Sequence, residues 1–487
     1  MPNPIAYIVL FSWPLVSLVM FQRMPLQRAF VWTIIGGYLL LPPATELDLP
    51  LLPPFDKFVV ANLSAFVFTI LIGKQRIPLL PRSWLARIML LCFVFMTVPT
   101  VLTNPDAIII DAPFMESGPF GGSKRIIPGL VPREIISFSG ALILIHVLPF
   151  LTARVVLANE AGRRELFRAL MIGGLLYTIP AVFEIRFSPQ LNIWIYGFFQ
   201  HDFIQMIRGS TFRPIVFLPH ALWLAFFFVT ATVAAASLAK VQPPNQRGKY
   251  LLAIFWLILV IIAGKSLGST GYVLVLVPVV FLFSEAGRIR IALLFMALAL
   301  IYPALRNAGL IPLDDIVGFF NQFSADRAQS LGFRFENEEI LLQHANERRL
   351  FGWGGWGRYL VYSPWDGTQD AVADGRWIFV FGSYGVFGFI AEFGLLATPI
   401  LLIWMRHKRL PEGQSLTHAG TLALMLGITM FDLLVNAAIV PYIWLIAGAL
   451  IAAAEKPVKV TRRAAREVKP SVLEITPVQE PERRTII

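Results

Sequence analysis

Polar side chains that could carry out a reaction are concentrated in one stretch of this otherwise apolar sequence, residues 307–377. It contains R-F-E-N-E-E-I-L-L-Q-H-A-N-E-R-R-L-F-G-W-G-G-W-G-R-Y and ends in V-A-D-G-R-W. Carboxylates can accept a proton, and guanidinium groups can stabilise a developing negative charge. Arg334 and Glu338 are one helical turn apart, so we expect them to pair across one helix face. If the protein is an enzyme, its site borders this stretch.

A second group of cationic residues lies in R-G-S-T-F-R-P, where Arg208 and Arg213 flank Gly-Ser-Thr at a predicted helix start. Backbone N–H groups at a helix N-terminus and guanidinium groups both bind phosphate, which favours an anion site here. The alternative is that Arg213 reaches lipid headgroups. The nearby G-K-S-L-G-S-T-G lacks the glycine spacing of a nucleotide P-loop. Lys265 is therefore interpreted as an auxiliary phosphate contact or as part of a tight turn.

The histidine and acidic residues do not have the spacing of a metal site. His344 is a lone histidine in H-A-N-E. The chain also has no nucleophile elbow of the kind found in serine hydrolases. We therefore expect no bound metal.

The scaffold for these residues is a membrane protein. Of the 487 residues, 56% are hydrophobic and only 15% are charged, whereas soluble domains carry about 25% charged residues. Apolar runs of roughly 17–25 residues recur, and each can cross a bilayer as a helix. The sequence therefore predicts an all-α polytopic membrane protein. The net charge of +11 lies mostly between the spans, which is a topology signal and does not indicate nucleic-acid binding.

We expect about thirteen transmembrane helices, or twelve if the last apolar block crosses only once. They are predicted near residues 5–21, 28–42, 57–72, 84–103, 133–157, 166–185, 214–239, 249–264, 270–284, 290–306, 378–405, 418–434 and 437–454. Residues 1–454 then form a single transmembrane domain that includes the large loop 307–377. Residues 455–487 are expected to form a disordered basic cytoplasmic tail.

Arginine and lysine recur in every second connection, as at Arg23, Lys74, Arg154 and Arg288. Since basic loops stay in the cytoplasm, these connections are predicted to be cytoplasmic and the large loop faces outwards. In a bacterium this places the loop in the periplasm and the protein in the inner membrane. The N-terminus is expected on the same side as the loop.

Helical patterning covers 314–323 and 325–349 within the large loop. Apolar residues at spacings of three and four in the second helix predict that it lies on the membrane. The connection 104–132 is rich in glycine and proline and is expected to be irregular.

Three motifs follow one another between residues 180 and 450. They are R-G-S-T-F-R-P, then K-S-L-G-S-T-G, then the helix R-F-E-N-E-E-I-L-L-Q-H that ends in G-W-G-G-W-G. Together they resemble the O-antigen ligase and Wzy-type polymerase superfamily of bacterial envelope glycan assembly. The first is similar to the family's arginine and Gly-Thr-Phe-x-x-Pro segment. The third is similar to its arginine-led periplasmic helix, and the downstream Y-G-V-F-G resembles its Gly-x-x-Gly span.

Two features depart from that family pattern. Leu267 stands where the second motif usually has an arginine, a contact that Lys265 could replace. The family's ligases carry a histidine late in the large loop, whereas this chain reads A-D-G-R-W, with Asp374 and Arg376. The missing histidine favours a polymerase over a ligase.

The resemblance implies a glycosyltransferase whose donor is a glycan linked to undecaprenyl pyrophosphate. A hydroxyl group of an acceptor glycan attacks the anomeric carbon and the lipid pyrophosphate leaves, without a cofactor. Arg208, Arg213 and Arg334, with Lys265, would bind this pyrophosphate, because guanidinium groups stabilise its charge. Besides membrane lipids, a flippase and a chain-length regulator are further partners that such an enzyme could have.

The resemblance also calls for a base that accepts the proton of the acceptor hydroxyl, and Asp374 and Glu338 are the candidates. Asp374 could instead be the N-cap of the next helix, since aspartate is favoured there. Trp353 and Trp356, with Arg348, would bind the glycan. The tryptophans could equally anchor the loop in the membrane interface.

Three functions stay open at this point. A polymerase would join repeat units in exopolysaccharide or O-antigen assembly, and a ligase would transfer the glycan to lipid A core or another acceptor. The third function is an envelope transporter or flippase. Transporters usually place charged residues within spans and contain inverted repeats. Here Glu392 and Asp432 are the main charged residues within spans, so chemistry at the outer surface is favoured.

Overall fold

The computed structural model describes residues 1–49, 52–113, 124–209, 211–410 and 416–455, without the side chains at 326 and 327. Residues Met1–Glu455 form one unit. The predicted disordered tail lies outside the described residues from 456 onwards.

Helices dominate because apolar runs in a membrane must satisfy their backbone hydrogen bonds internally. In chain order the elements are α1 (Pro4–Arg23), α2 (Leu26–Leu40), α3 (Lys57–Leu71), α4 (Trp84–Phe95), α5 (Thr97–Leu102), β1 (Ile108–Asp111), β2 (Lys124–Ile127), α6 (Glu134–Leu142), a π-turn (Ile143–Val147), α7 (Leu148–Val156), α8 (Glu160–Phe187), α9 (Leu191–Tyr196), β3 (Ile207–Arg208), β4 (Thr211–Phe212), α10 (Ala221–Lys240), α11 (Gly248–Ala263), α12 (Leu267–Leu282), α13 (Glu285–Asn307), α14 (Leu313–Asn321), α15 (Ala325–Glu347), α16 (Arg376–His407), α17 (Ala419–Asp432) and α18 (Pro441–Glu455).

Each of the thirteen predicted spans coincides with a helix or a run of consecutive helices in the described chain. Seven segments are long and apolar enough to cross a membrane by length and composition: α1, α4–α5, α6–α7, α8, α10, α13 and α16. The remaining six, α2, α3, α11, α12, α17 and α18, are helices of 14 to 16 residues. The protein is therefore an all-α polytopic membrane protein, as predicted.

The connections between these helices meet at two ends of the bundle. At one end the N-terminal residue Asn3 donates to the carbonyl of Tyr196 (2.9 Å), and Arg348 of the large loop donates to the carbonyl of Thr103 (2.7 Å). At the opposite end Arg28 pairs with a glutamate of α8 at 2.7 Å. The N-terminus and the large loop thus lie at the same end, and the basic connections lie at the other.

The large loop contains the two predicted helices, α14 and α15. The prediction that α15 lies on the membrane is wrong, because its apolar face packs on protein. Leu341, Leu342 and Ala345 are buried in the main hydrophobic core. By contrast, no residue of α14 is buried.

The connection 104–132 is not wholly irregular, contrary to expectation. Strands β1 and β2 pair antiparallel, with Ile108 opposite Ile127. The isoleucine-rich sequences of both strands favour extended backbone. Residues 114–123 between them, which include the glycine-rich G-P-F-G-G, lie outside the described residues.

Helix α16 is not a straight span, as had been predicted for 378–405. Gly385 has φ +65° and ψ −164°, a conformation that interrupts the helix. Arg376 and Glu392 form an ion pair with two N–O distances of 2.7 Å. In a straight helix these residues would be about 24 Å apart, so the two arms fold towards each other at Gly385. Residues 386–407, about 33 Å long as a helix, provide the crossing.

The glycine-rich segment 349–354 closes this kink. A helix end leaves carbonyls without partners, and a helix start leaves N–H groups without partners. Four backbone hydrogen bonds satisfy these groups: Trp353 N–H to Gly382 O (2.8 Å), Gly354 N–H to Ser383 O (2.9 Å), Val386 N–H to Arg349 O (2.8 Å) and Phe387 N–H to Leu350 O (3.2 Å). The segment 349–354, which leads into G-W-G-G-W-G, therefore pairs with residues 382–387, which overlap Y-G-V-F-G.

Two glycines make this close approach of backbones possible. A Cβ atom on Gly352 would lie 2.4 Å from the carbonyl carbon of Ser383, and one on Gly385 would lie 2.4 Å from that of Leu350. Both glycines also have positive φ. A larger residue at either position would separate the loop from α16.

Candidate functional site

The central feature of the site is an ion pair between Arg334 of α15 and Asp374, just before α16. The Nε–Oδ2 distance is 3.4 Å, and the side chains are 32% and 38% exposed. Arg334 also donates to the carbonyl of Val435, at 3.2 Å, in the connection between α17 and α18. Three segments that are far apart in the sequence thus meet at a carboxylate that a ligand can reach.

Glu338 does not pair with Arg334, and this prediction is wrong. Its carboxylate accepts hydrogen bonds from the Tyr302 hydroxyl (2.8 Å), Arg306 Nε (3.0 Å) and Trp377 Nε1 (3.1 Å). Burial raises the pKa of Glu338, and these three donors oppose the shift. Arg306 at the end of α13 outcompetes Arg334 because its side chain is buried beside the carboxylate. Glu338 therefore joins α13, α15 and α16.

Asp374 is not the N-cap of α16. The N-cap residue is Gly375, and no side chain caps this end. Burial raises the pKa of Asp374, and the positive charge of Arg334 opposes the shift. A carboxylate with a raised pKa accepts a proton more readily, so Asp374 has the properties of a general base.

His220 lies immediately before α10 and belongs to the same cluster. Its Nδ1 accepts a hydrogen bond from the backbone N–H of Leu222 at 2.9 Å, so the neutral ring carries its proton on Nε2. Burial lowers the pKa of His220 to about 3, and the positive charges of Arg213 and Arg334 act in the same direction. His220 is therefore a neutral hydrogen-bond donor near two arginines.

His201 has the same tautomer for the same reason. Its Nδ1 accepts from the backbone N–H of Asp202 at 2.6 Å, and its ring lies 4.5 Å from that of His220, centroid to centroid. Both histidines thus have an Nε2–H group as a donor. Such a pair of donors is suited to an anionic ligand.

Arg213 and His220 are positioned by a buried, non-helical segment, residues 214–218. Glu184 of α8 accepts from the N–H groups of two of its residues, both at 2.8 Å. Gln200 donates to two of its carbonyls, and Lys57 donates to a third at 2.9 Å. Irregular backbone at membrane depth requires such partners. These polar side chains hold the segment in one conformation.

Arg208 and Lys265 lie in a different setting from the one predicted. Arg208 is at the tip of the hairpin β3–β4, with Gly209 at φ +61°, and not at a helix start. Helix α10 begins only at Ala221, so the predicted anion site on a helix N-terminus is wrong. Ser210 lies outside the described residues. Lys265 is in the predicted tight turn, and its Nζ donates to the carbonyl of Arg208 at 2.8 Å.

The predicted glycan-binding residues form a third group beside the connection between α5 and α6. The guanidinium of Arg348 lies 4.7 Å from the ring centroid of Trp353, and His344 stacks on the same side chain at 4.3 Å. Trp356 is exposed and donates to Glu134 at 2.8 Å. The ring of Trp353 is thus covered by protein, whereas that of Trp356 is open to a ligand.

Three residues with clear roles in this region were not singled out by sequence reasoning. They are His220, Arg306 and Arg376. His220 lies six residues after the motif R-G-S-T-F-R-P, and the two arginines stand at the edges of the apolar blocks that flank the large loop. A charged residue at such an edge could have been examined as an anchor of the loop.

Apolar pockets border the charged groups. One pocket lies beside Arg334 and Asp374 and is also lined by Leu331 and Phe335. Another lies between α10 and α11 next to Arg213. Cations, neutral N–H donors and a carboxylate next to apolar walls suit a ligand with an anionic head and an apolar chain.

The described residues contain no cluster of three or more His, Cys, Asp or Glu placed to hold a metal ion. No protein-family model matches this chain, and a search of curated proteins gives no match. Membership of the family that the three motifs resemble therefore stays a prediction.

Proposed function

We propose that this protein is a glycosyltransferase of the bacterial inner membrane, with its site facing the periplasm. It transfers a glycan from polyprenyl pyrophosphate to a hydroxyl group of an acceptor glycan. The observation that carries the proposal is the carboxylate of Asp374 beside Arg334. His220 lies close enough to Arg334 and Arg213 for their charges to act on it. A lipid-linked donor presents its pyrophosphate at that depth, where the bundle ends.

In the proposed reaction, Asp374 accepts the proton of the acceptor hydroxyl group, and the oxygen of that hydroxyl group bonds to the anomeric carbon. The bond from that carbon to the phosphate oxygen breaks, and its electron pair goes to the pyrophosphate. Arg334 and Arg213 stabilise this charge, and His220 donates its Nε2–H. Asp374 is a better base than Glu338, because three donors already occupy the carboxylate of Glu338.

We propose a polymerase that lengthens exopolysaccharide or O-antigen, rather than a ligase. The support is that the position of the ligases' late histidine carries A-D-G-R-W, where Asp374 now lies against Arg334. Arg208 on the exposed hairpin, with Lys265 hydrogen-bonded to its carbonyl, would contact the outer part of the pyrophosphate.

The test is glycan analysis of a strain that lacks the protein and is complemented with variants. Asp374→Asn and Arg334→Ala are expected to give single repeat units and no long polymer. Asp315→Asn and Arg349→Ala are the matched controls, since both side chains are exposed in the same loop. The controls should restore long polymer. Immunoblots of membranes check that all four variants are inserted equally.

The outcomes separate the three functions. Polymer of normal length that stays on undecaprenyl pyrophosphate in the deletion strain would mean a ligase. An unchanged glycan profile would overturn the proposal in favour of a transporter. Normal polymer in the Asp374→Asn strain would remove this residue from the site.

A further inference from the structure

Helix α14 and the turn that follows it expose a cluster of three phenylalanines. The side chains of Phe319, Phe320 and Phe323 are 56%, 37% and 73% exposed. Their rings pack edge to face, with centroids 5.7 Å apart for the first two and 5.1 Å apart for Phe319 and Phe323. A contiguous apolar patch of this kind is unfavourable in water and marks a contact surface.

The other face of α14 is already used. Its residues Leu313, Val317 and Asn321 line a groove between α14 and α15. At 100° per residue Phe319 lies on the side of the helix opposite Val317, whereas Phe320 lies close to Leu313 at the border of the groove. Phe319 and Phe323, which are more than half exposed, therefore point away from the protein.

Exposed apolar side chains also lie on the membrane-crossing helix that precedes α14. Leu298, Ile301 and Leu305 of α13 are exposed and share one face at spacings of three and four. Leu310, also exposed, lies in the link from α13 to α14. From Asn307 to the start of α14 this link can extend at most about 22 Å. Helix α14 therefore cannot move far from the end of α13.

The composition of α14 fits the interface between lipid and water. It has no lysine or arginine, and its only acidic residues, Asp314 and Asp315, are in the first turn, where the helix dipole favours them. Aromatic side chains are favoured at the depth of lipid headgroups. A protein partner would need polar groups at the rim of the patch, whereas the link that precedes α14 carries a further exposed apolar side chain, Leu310.

We propose that α14 lies in the bilayer interface on the side of the large loop, with Phe319, Phe320 and Phe323 among the lipid acyl chains. The partner of this surface is the phospholipid bilayer. The helix forms the wall between the lipid and the groove that α14 and α15 enclose, whose floor includes Arg306. The inference does not depend on the proposed glycosyl transfer.

The experiment uses the full-length protein in liposomes. Cys92 is the single cysteine, so a Cys92→Ser background allows one environment-sensitive fluorophore to be attached at Phe323→Cys or at Asp314→Cys. The second position is exposed in the first turn of α14, on the side of the groove, and serves as the matched control. Spin-labelled phospholipids in the bilayer quench a fluorophore that lies among acyl chains.

Several-fold stronger quenching at position 323 than at 314, with blue-shifted emission, is the expected result. Equal, weak quenching at both positions with emission typical of water would overturn the proposal. Blue-shifted emission at 323 without quenching by lipid would overturn it as well, because protein would then cover the patch. Neither result would bear on the glycan assay, so the two proposals can fail separately.

Discussion

Breaking the Arg376–Glu392 pair is expected to destabilise the protein strongly. The carboxylate of Glu392 is fully buried, and it accepts two hydrogen bonds of 2.7 Å from a guanidinium that is 13% exposed. The guanidinium also lies 4.7 Å from the ring centroid of Phe379. Arg376→Met would leave a buried carboxylate without its counter-charge, and Glu392→Met would leave a buried guanidinium.

The magnitude follows from the burial of the pair. Removing one partner of a buried ion pair costs about 3–5 kcal/mol, whereas replacing both with apolar residues of similar volume is often close to neutral. The double variant should therefore cost far less than the sum of the singles, with a coupling energy of about 3 kcal/mol or more. The half-exposed Arg334–Asp374 pair should show a coupling of only about 0.2–1 kcal/mol.

The assay is the free energy of unfolding in mixed micelles, measured by steric trapping or by titration with SDS. The wild type, the Arg376→Met and Glu392→Met variants and the double variant form one double-mutant cycle. Arg334→Met, Asp374→Leu and their combination form the matched cycle on the exposed pair. Additive costs at Arg376 and Glu392 would refute the reasoning, because the two residues would then not touch and α16 would be straight.

Two further predictions concern the kink and the base. Gly385→Ala should cost about 3 kcal/mol or more, because φ +65° with ψ −164° suits only glycine and a Cβ would lie 2.4 Å from the carbonyl carbon of Leu350. The control Gly271→Ala, in a helix with open space, should be neutral or stabilise by up to about 1 kcal/mol. An equal response of both variants in the unfolding assay would contradict this account. The second prediction concerns the pH dependence of glycosyl transfer in proteoliposomes. Burial raises the pKa of Asp374, and a base must be deprotonated, so the rate should fall on acidification at a higher pH than an ordinary aspartate would cause. Asp374→Asn should lower the rate about 10²–10⁴-fold and remove the fall in rate at acidic pH. An unaltered pH–rate profile would exclude Asp374 as the base.

The sequence was sufficient for the fold class because the signals for membrane helices are local. An apolar run needs no distant partner to be recognised, since its length and composition decide whether it can cross a bilayer. For the same reason the two helices of the large loop, α14 and α15, were predicted within a few residues of their bounds. The end of the bundle at which the N-terminus lies also followed from the basic connections.

The site could be predicted only in part. Asp374 and Arg334 were both candidates, but their pairing across 40 positions was not expected, because spacing along one helix suggested Glu338 as the partner of Arg334. In the folded protein Glu338 instead forms an ion pair with Arg306, which is buried at the end of α13. His220 became a candidate only when the fold placed Arg213 and Arg334 near it.

What the sequence alone determined is the set of helices and the location of the polar loop. What only the tertiary structure decided is the course of α16, whose apolar residues are continuous and suggest one long span. Its break at Gly385 depends on the backbone of 349–354, which supplies the hydrogen bonds that a broken helix lacks. Hydrophobicity is a property of each residue, whereas these partners exist only once the chain has folded.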